Sequence, residues 1–252
     1  GFQSVDIHVA KTNQGLAASL VCGIGRVLEN DDRIIVLEDD IQVSPYFLDF
    51  MNDHLEVYAN DSEVASIHAA VYPHDQDLPE TFFIRGADCW GWATWRHAWK
   101  KYDRDLSTWP TKRAHDFLKK KLKFNLAQKS LWNRNLDRTY QGDIDTWDYQ
   151  WIYSCWVNNG LTIAPSMNLI KNLGFCDEAT HTFGDDPYRS NLIQVEIKFP
   201  LKHPLERVVN RDADIFISKY WFHATWLNSA KSSVLRLPGA KAVNQMRKRI
   251  FK

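Results

Sequence analysis

The chain has 252 residues, 44% of them hydrophobic, enough to bury a full core in one large domain or a domain with an appendage. Lys+Arg (31) balance Asp+Glu (31), so no global field selects nucleic acid or an anionic membrane surface, and no apolar run is long enough to span a bilayer. Cys22, Cys89, Cys155 and Cys176 are scattered without a CxxC pair, which excludes a zinc-knuckle or disulfide-framework reading and suggests reduced thiols in a cytosolic protein.

In chain order, VDIHVA (Val5 to Ala10) alternates and predicts a strand. Asn13-Gln14-Gly15 is a turn signal, and Gly15 to Asn30 carries Leu16, Leu20, Ile24, Val27 and Leu28 at helical spacing. RIIVL (Arg33 to Leu37) predicts the next strand, and Ser44-Pro45 starts a helix through about Ala59. VASIHAA (Val64 to Ala70) is a further strand. This strand–helix alternation predicts an α/β layer with parallel strands.

CWGWATWRHAW (Cys89 to Trp99) follows a polar loop; Trp95 and Trp99, four apart, read as core residues on one helix face. KRAHDFLKKKLKF (Lys112 to Phe124) predicts a helix with a basic, solvated face. TWDYQWIYSCWVNNG (Thr146 to Gly160) predicts a helix closed by Asn158-Asn159-Gly160, and LTIAP (Leu161 to Pro165) a short strand. Asn172 to Asp186 is a polar loop, and the tail beyond Pro204 reads as helices ending in a basic segment, Met246 to Lys252. That segment is either a solvated terminus or a contact for an anionic membrane. Of the 11 tryptophans most are expected in the core, although indoles also suit sugar rings.

The chemistry concentrates at VLEDDIQVSPYF (Val36 to Phe47), where a buried-looking strand runs into Glu38, Asp39 and Asp40. Adjacent carboxylates repel each other, and burial raises that cost. Either water solvates them or a cation completes them. Oxygen-only ligands suit Mg²⁺ or Mn²⁺ bridging carboxylates to a diphosphate, and ligands of open α/β sheets bind at the carboxyl ends of strands.

VLEDDIQVSPYF, NQGLAASLVCGI (Asn13 to Ile24), CWGWATWRHAW, the block from Asp145 to Phe175, and ATHT (Ala179 to Thr182) together resemble the nucleotide-diphospho-sugar transferases of the GT-A fold. The match is to bacterial sugar transferases related to N-acetylglucosaminyltransferase I. The resemblance spans roughly Asn13 to Thr182. It implies a GT-A, Rossmann-like α/β fold: a mixed, mostly parallel sheet flanked by helices. The catalytic domain would cover 1–185, with a donor side (1–72) and an acceptor side (82–185), and 186–252 would form a mainly helical extension.

By this resemblance Asp40, the last residue of the EDD form of the DXD motif, ligates Mn²⁺ or Mg²⁺, and His181 adds a second metal or diphosphate contact. Glu38 and Asp39 hold the ribose, the donor sugar or metal-bound water, with Asn13 and Gly15 on the donor side. Asp148, in WDYQW, is the catalytic base, with Asp145 the runner-up. Trp90, Gly91 and Trp92 shape the acceptor pocket. Arg85 and Asp88 contact acceptor hydroxyls, with a surface salt bridge as the plainer role. The family's first strand and helix precede the part seen here, so its nucleotide-base pocket is expected to be incomplete, leaving a sheet edge for another segment or partner to fill.

The activity implied is metal-dependent, inverting transfer of a sugar from a nucleotide-diphosphate donor, UDP-linked by preference, to a hydroxyl of a glycan or lipid-linked acceptor. The setting would be polysaccharide assembly, in the cytoplasm or at the inner face of the cell membrane. A carbohydrate-binding module without catalysis is the alternative. A nucleotidyltransferase or phosphohydrolase is a third reading, weakened by the lack of a Walker-type phosphate loop and of a second acidic cluster.

Overall fold

The computed structural model describes residues 2–71, 77–174 and 193–220. The apolar stripe of the first helical segment forms α1 (Leu16–Asn30), which buries Ile24 and Leu28. The apolar run after it is β1 (Arg33–Val36), and a short β2 (Ile41–Val43) follows the acidic residues. The Ser-Pro start leads to α2 (Phe47–Val57), where the Ser44 hydroxyl accepts from the Tyr46 amide at 3.3 Å. Phe47, Phe50 and Met51 are wholly buried on its inner face, each stabilising by roughly 1.5–3 kcal/mol.

The chain continues through β3 (Val64–His68), β4 (Thr81–Ile84), β5 (Trp92–Trp95) and a short α3 (Arg96–Trp99). The helices α4 (Trp109–Ala114), α5 (Phe117–Lys120), α6 (Leu126–Tyr140) and α7 (Asp148–Val157) follow. The last elements are β6 (Leu161–Pro165), β7 (Ile170–Asn172) and α8 (Arg211–Tyr220).

The main sheet has the order β1-β5-β3-β6-β4, and β2 pairs separately with β7. Contrary to the expectation of a mostly parallel sheet, only β3 and β6 pair in parallel among the described residues; β1–β5, β3–β5 and β4–β6 are antiparallel. The cause is local. β1 and β3 do run in the same direction, as the strand–helix–strand pattern requires, but β5 inserts between them in the opposite sense. Trp92 is thus opposite both Val36 and His68.

Two cores sandwich the sheet. One joins α2 and α8 to the face bearing Ile67, Ala93, Trp95 and Ile163. The other joins α1 and α3 to α7 on the face bearing Trp92. Trp95 and Trp99 therefore do not share a helix face: Trp95 lies in β5 and Trp99 in α3, in different cores. The described tryptophans are core residues apart from Trp90, which is partly buried.

The expected strand over Val5 to Ala10 does not form; Val5, Ile7 and Val9 are exposed. Alternation defines two faces but supplies no neighbouring strand to pair with. The basic segment is two short helices rather than one, because Asp116 adopts a left-handed conformation (φ 55°) between them.

Residues 193–220 pack into the sheet layers. Ile197, Leu201, Ala213 and Ile217 enter the first core, and the Asn210 amide donates to the Phe83 carbonyl at 2.8 Å. This stretch contains one helix, α8, preceded by irregular chain. Among the described residues no helix is long and apolar enough to cross a membrane. The basic end of the chain lies outside the described residues.

Candidate functional site

β1 stops at Val36, and Glu38 to Ile41 makes a turn closed by the Ile41 amide to the Glu38 carbonyl, 3.2 Å. β2 leaves this turn and pairs with β7, Ile41 opposite Asn172. The Leu173 amide donates to the Asp40 carbonyl at 2.7 Å, and the Gly174 amide to the Asn172 side chain at 2.6 Å. A Cβ at position 174, just past β7, would run into the Asp40 carboxylate and push it aside.

The antiparallel register then fixes what stands opposite. Val36 faces Trp92, so the acidic turn after β1 emerges beside the Trp90-Gly91 approach to β5. Gly91 is buried at φ +66°, and a Cβ on it would meet Ile170 and Phe47 at 3.0 Å. Trp92 is fully buried, stacked on Trp147 at 5.4 Å and tilted against Trp151 at 5.7 Å. Trp92 thus offers no face to a sugar. It acts from below by seating Trp147, the residue before α7, over the start of β5. Trp90 keeps partial exposure, and its amide donates to the buried Asp88 carboxylate at 3.0 Å.

This stacking delivers Asp148, the first residue of α7, to the acidic turn. One of its oxygens, Oδ1, accepts a short hydrogen bond from the Thr146 hydroxyl and another from the Tyr149 amide at 2.8 Å. Burial holds the Asp148 carboxyl above the usual carboxylate range, against these bonds, which favour the ionised form. Glu38 is pushed up to about 7, by burial first and then by Asp40, Asp148 and Asp39. Asp40 is raised by burial and by Asp39. The Cys89 thiol is also driven upward, by burial and then by Asp148, Asp88 and Glu38.

Acids from β1, the β5 approach and the start of α7 therefore share one field, and every influence acting on Glu38 raises it. Such a site relaxes by holding protons or by taking a cation. Its donors are carboxylate oxygens, the set that Mg²⁺ and Mn²⁺ prefer.

Asn13 and Gly15 form an Asx turn, the Gly15 amide donating to Asn13 Oδ1 at 2.8 Å. A Cβ on Gly15 would lie 3.9 Å from Asp145 Oδ2, which places the start of α1 beside the loop before α7. Asp145 itself is exposed. Arg85 is committed elsewhere. Its backbone and guanidinium donate to Asp214 of α8 at 2.7–3.1 Å, and it lies 5.0 Å above the Phe124 ring. Arg85 thus forms an ion pair, but with buried Asp214 in the interior rather than on the surface. His181 lies outside the described residues.

Three neighbours of the site were not singled out from the sequence. Thr146 orients Asp148, Cys89 lies among the acids, and Tyr102 donates to the Trp147 carbonyl at 3.3 Å while stacking on Trp99. Thr146 and Cys89 each sit within two residues of a candidate and were legible as neighbours; Tyr102 carried no signal. No family model and no curated protein matches the chain.

Proposed function

We propose that this chain is a metal-dependent, inverting glycosyltransferase that moves a sugar from a nucleotide-diphosphate donor, preferentially UDP-linked, to a hydroxyl of a glycan or lipid-linked acceptor. The observation that carries the reading is the shared field of Glu38 and Asp148: the end of β1 and the start of α7 present carboxylates to one site. The order of motifs noted above supports it, and the finer GT-A assignment of the fold is part of the same proposal.

Asp40 would hold Mn²⁺ or Mg²⁺, with Glu38 and Asp39 holding the ribose, the donor sugar or metal-bound water, and the ion when bound supplies neutralising charge to the departing diphosphate. Asp148 deprotonates the acceptor hydroxyl. Both of its bonds noted above fall on Oδ1, so Oδ2 is the oxygen that takes the proton. The acceptor oxygen then bonds to the anomeric carbon, the bond from that carbon to the diphosphate oxygen breaks, and the nucleoside diphosphate leaves with the electron pair. Trp90, partly exposed beside Gly91, stacks on the acceptor sugar. Asn13 and Gly15 line the donor side.

Calorimetric titration of UDP with and without Mn²⁺, on the wild type and on Asp40→Ala, tests the donor site. Binding that needs both the ion and Asp40 supports the reading. Transfer by Asp148→Asn should fall by at least ~100-fold; full activity would remove Asp148 as the base. Oligosaccharide binding without metal-dependent nucleotide binding would favour a carbohydrate-binding module instead.

A further inference from the structure

A second cluster of ligating side chains lies away from the acidic turn, between α2 and the chain leading to α8. Asp53 Oδ2 is 2.8 Å from His203 Nε2, and the His54 ring lies beside it, its Phe50-bonded Nδ1 edge 3.9 Å from Asp53 Oδ2. One ligand atom from each residue lies within 4.8 Å of the other two. Around a tetrahedral ion with bonds of about 2.0–2.1 Å, ligand atoms stand roughly 3.3 Å apart, inside this range.

The hydrogen bonding favours a ligand over a self-contained network. The His54 Nδ1–H donates to the Phe50 carbonyl at 2.8 Å, which leaves the lone pair on Nε2. A backbone carbonyl orienting the other ring nitrogen is the usual support of a metal-bound histidine. His54 is wholly buried, yet its Nε2 has no partner. His203 Nδ1 is likewise unpartnered, and Asp53 Oδ2 accepts no hydrogen bond despite its 2.8 Å approach to His203. Two ligands of one ion are placed in this way: close together, but not directed at each other.

The neighbouring charge does not oppose a cation. Arg207, stacked 4.9 Å over Tyr58, is paired with Asp61 at 2.5 Å. Asp53 and His203 are partly exposed, which gives an ion a route in.

We propose that Asp53, His54 and His203 bind one divalent transition-metal ion of the zinc class. Two imidazoles and a carboxylate suit Zn²⁺ or Co²⁺ rather than Mg²⁺, and the remaining position is open to water. The ion would fasten residues 193–220 to α2. This site is independent of the proposed transferase chemistry.

The test is Co²⁺ titration into tag-free, chelator-treated protein, read by the visible ligand-field bands of a tetrahedral ion, with Zn²⁺ as competitor. One Co²⁺ per chain, displaced by Zn²⁺ and retained in Asp40→Ala, is expected. In His203→Ala the affinity should fall about tenfold or more. Asp53→Asn, at a second partly exposed position, should do the same if His203→Ala fails to fold. No bands in the wild type, or bands unchanged in the ligand variants, would overturn the proposal. So would bands lost in Asp40→Ala, since the ion would then belong to the acidic turn.

Discussion

Asp148, at the start of α7, raises the cost of ionising Glu38, just past the end of β1, adding to a shift that burial dominates. Glu38, pushed up to about 7 from 4.5, is therefore protonated in the folded protein where the unfolded chain has lost its proton. Its contribution to stability is complete below pH 4.5 and disappears as pH rises through 7. Allowing for solvent screening of this part-exposed group, the loss is roughly 1–2 kcal/mol. In chelator-treated protein, urea unfolding across pH 4.5–7.5 should show this decline, and Glu38→Gln should flatten it. Mn²⁺ should reverse it, because the ion stabilises the ionised form.

Gly91 is where β5, β7, α2 and the acidic turn converge. Its φ of +66° disfavours any other residue, and a methyl group would press on Phe47 and Ile170 at 3.0 Å. Both neighbours are wholly buried and have no room to retreat. Gly91→Ala should cost about 2–3 kcal/mol by strain and overpacking together, read as a lower urea midpoint. If the shift were under a few tenths of a kcal/mol, the close packing at this corner would be wrong.

These relationships were only partly legible in the sequence. LTIAP gave β6 at its observed boundaries, and the Ser-Pro start and the apolar stripe of α1 placed two helices within a few residues. Such signals are local, made by one segment's own periodicity and caps. Pairing is not local. The segment WATW shows no alternation because Trp92 and Trp95 are buried on opposite faces, so the strand that reverses the sheet's sense was hidden. VDIHVA has the alternation and lacks a partner. The acidic turn and Asp148 were visible as motifs, but only Trp92 stacking on Trp147 shows why they meet. His203 is too far in the chain from the adjacent Asp53 and His54 for spacing to suggest a cluster, and the capping box of Asn125 and Gln128 on α6 was present in the sequence without being read.

His68 offers a clean acid-stability test. It lies at the end of β3 opposite Trp92, wholly buried, with neither ring nitrogen partnered. Burial lowers its pKa to about 3 from 6.5. The neutral ring's stability is complete above pH 6.5 and is lost as pH falls toward 3, because only the unfolded chain takes up the proton. At pH 5 the cost is about 2 kcal/mol relative to pH 7. His68→Leu, close in volume and without a titrating group, should reduce the acid slope by that amount. An unchanged slope would show that His68 finds a polar partner or solvent in the folded protein.

Arg85 separates a structural role from a binding one. Its guanidinium is 16% exposed and grips Asp214, itself 4% exposed, so removing the cation strands a carboxylate in the protein interior. Arg85→Ala should therefore destabilise by about 3–5 kcal/mol. Replacing both partners with apolar residues, Arg85→Leu with Asp214→Leu, should recover much of the loss, since a packed apolar pair has no stranded charge. If Arg85 instead bound acceptor hydroxyls, the double variant would remain defective in acceptor KM after its stability returned. Recovery of both stability and KM is the outcome expected from the Arg85–Asp214 geometry, with the ion pair anchoring α8 to the chain beyond β4 rather than meeting substrate.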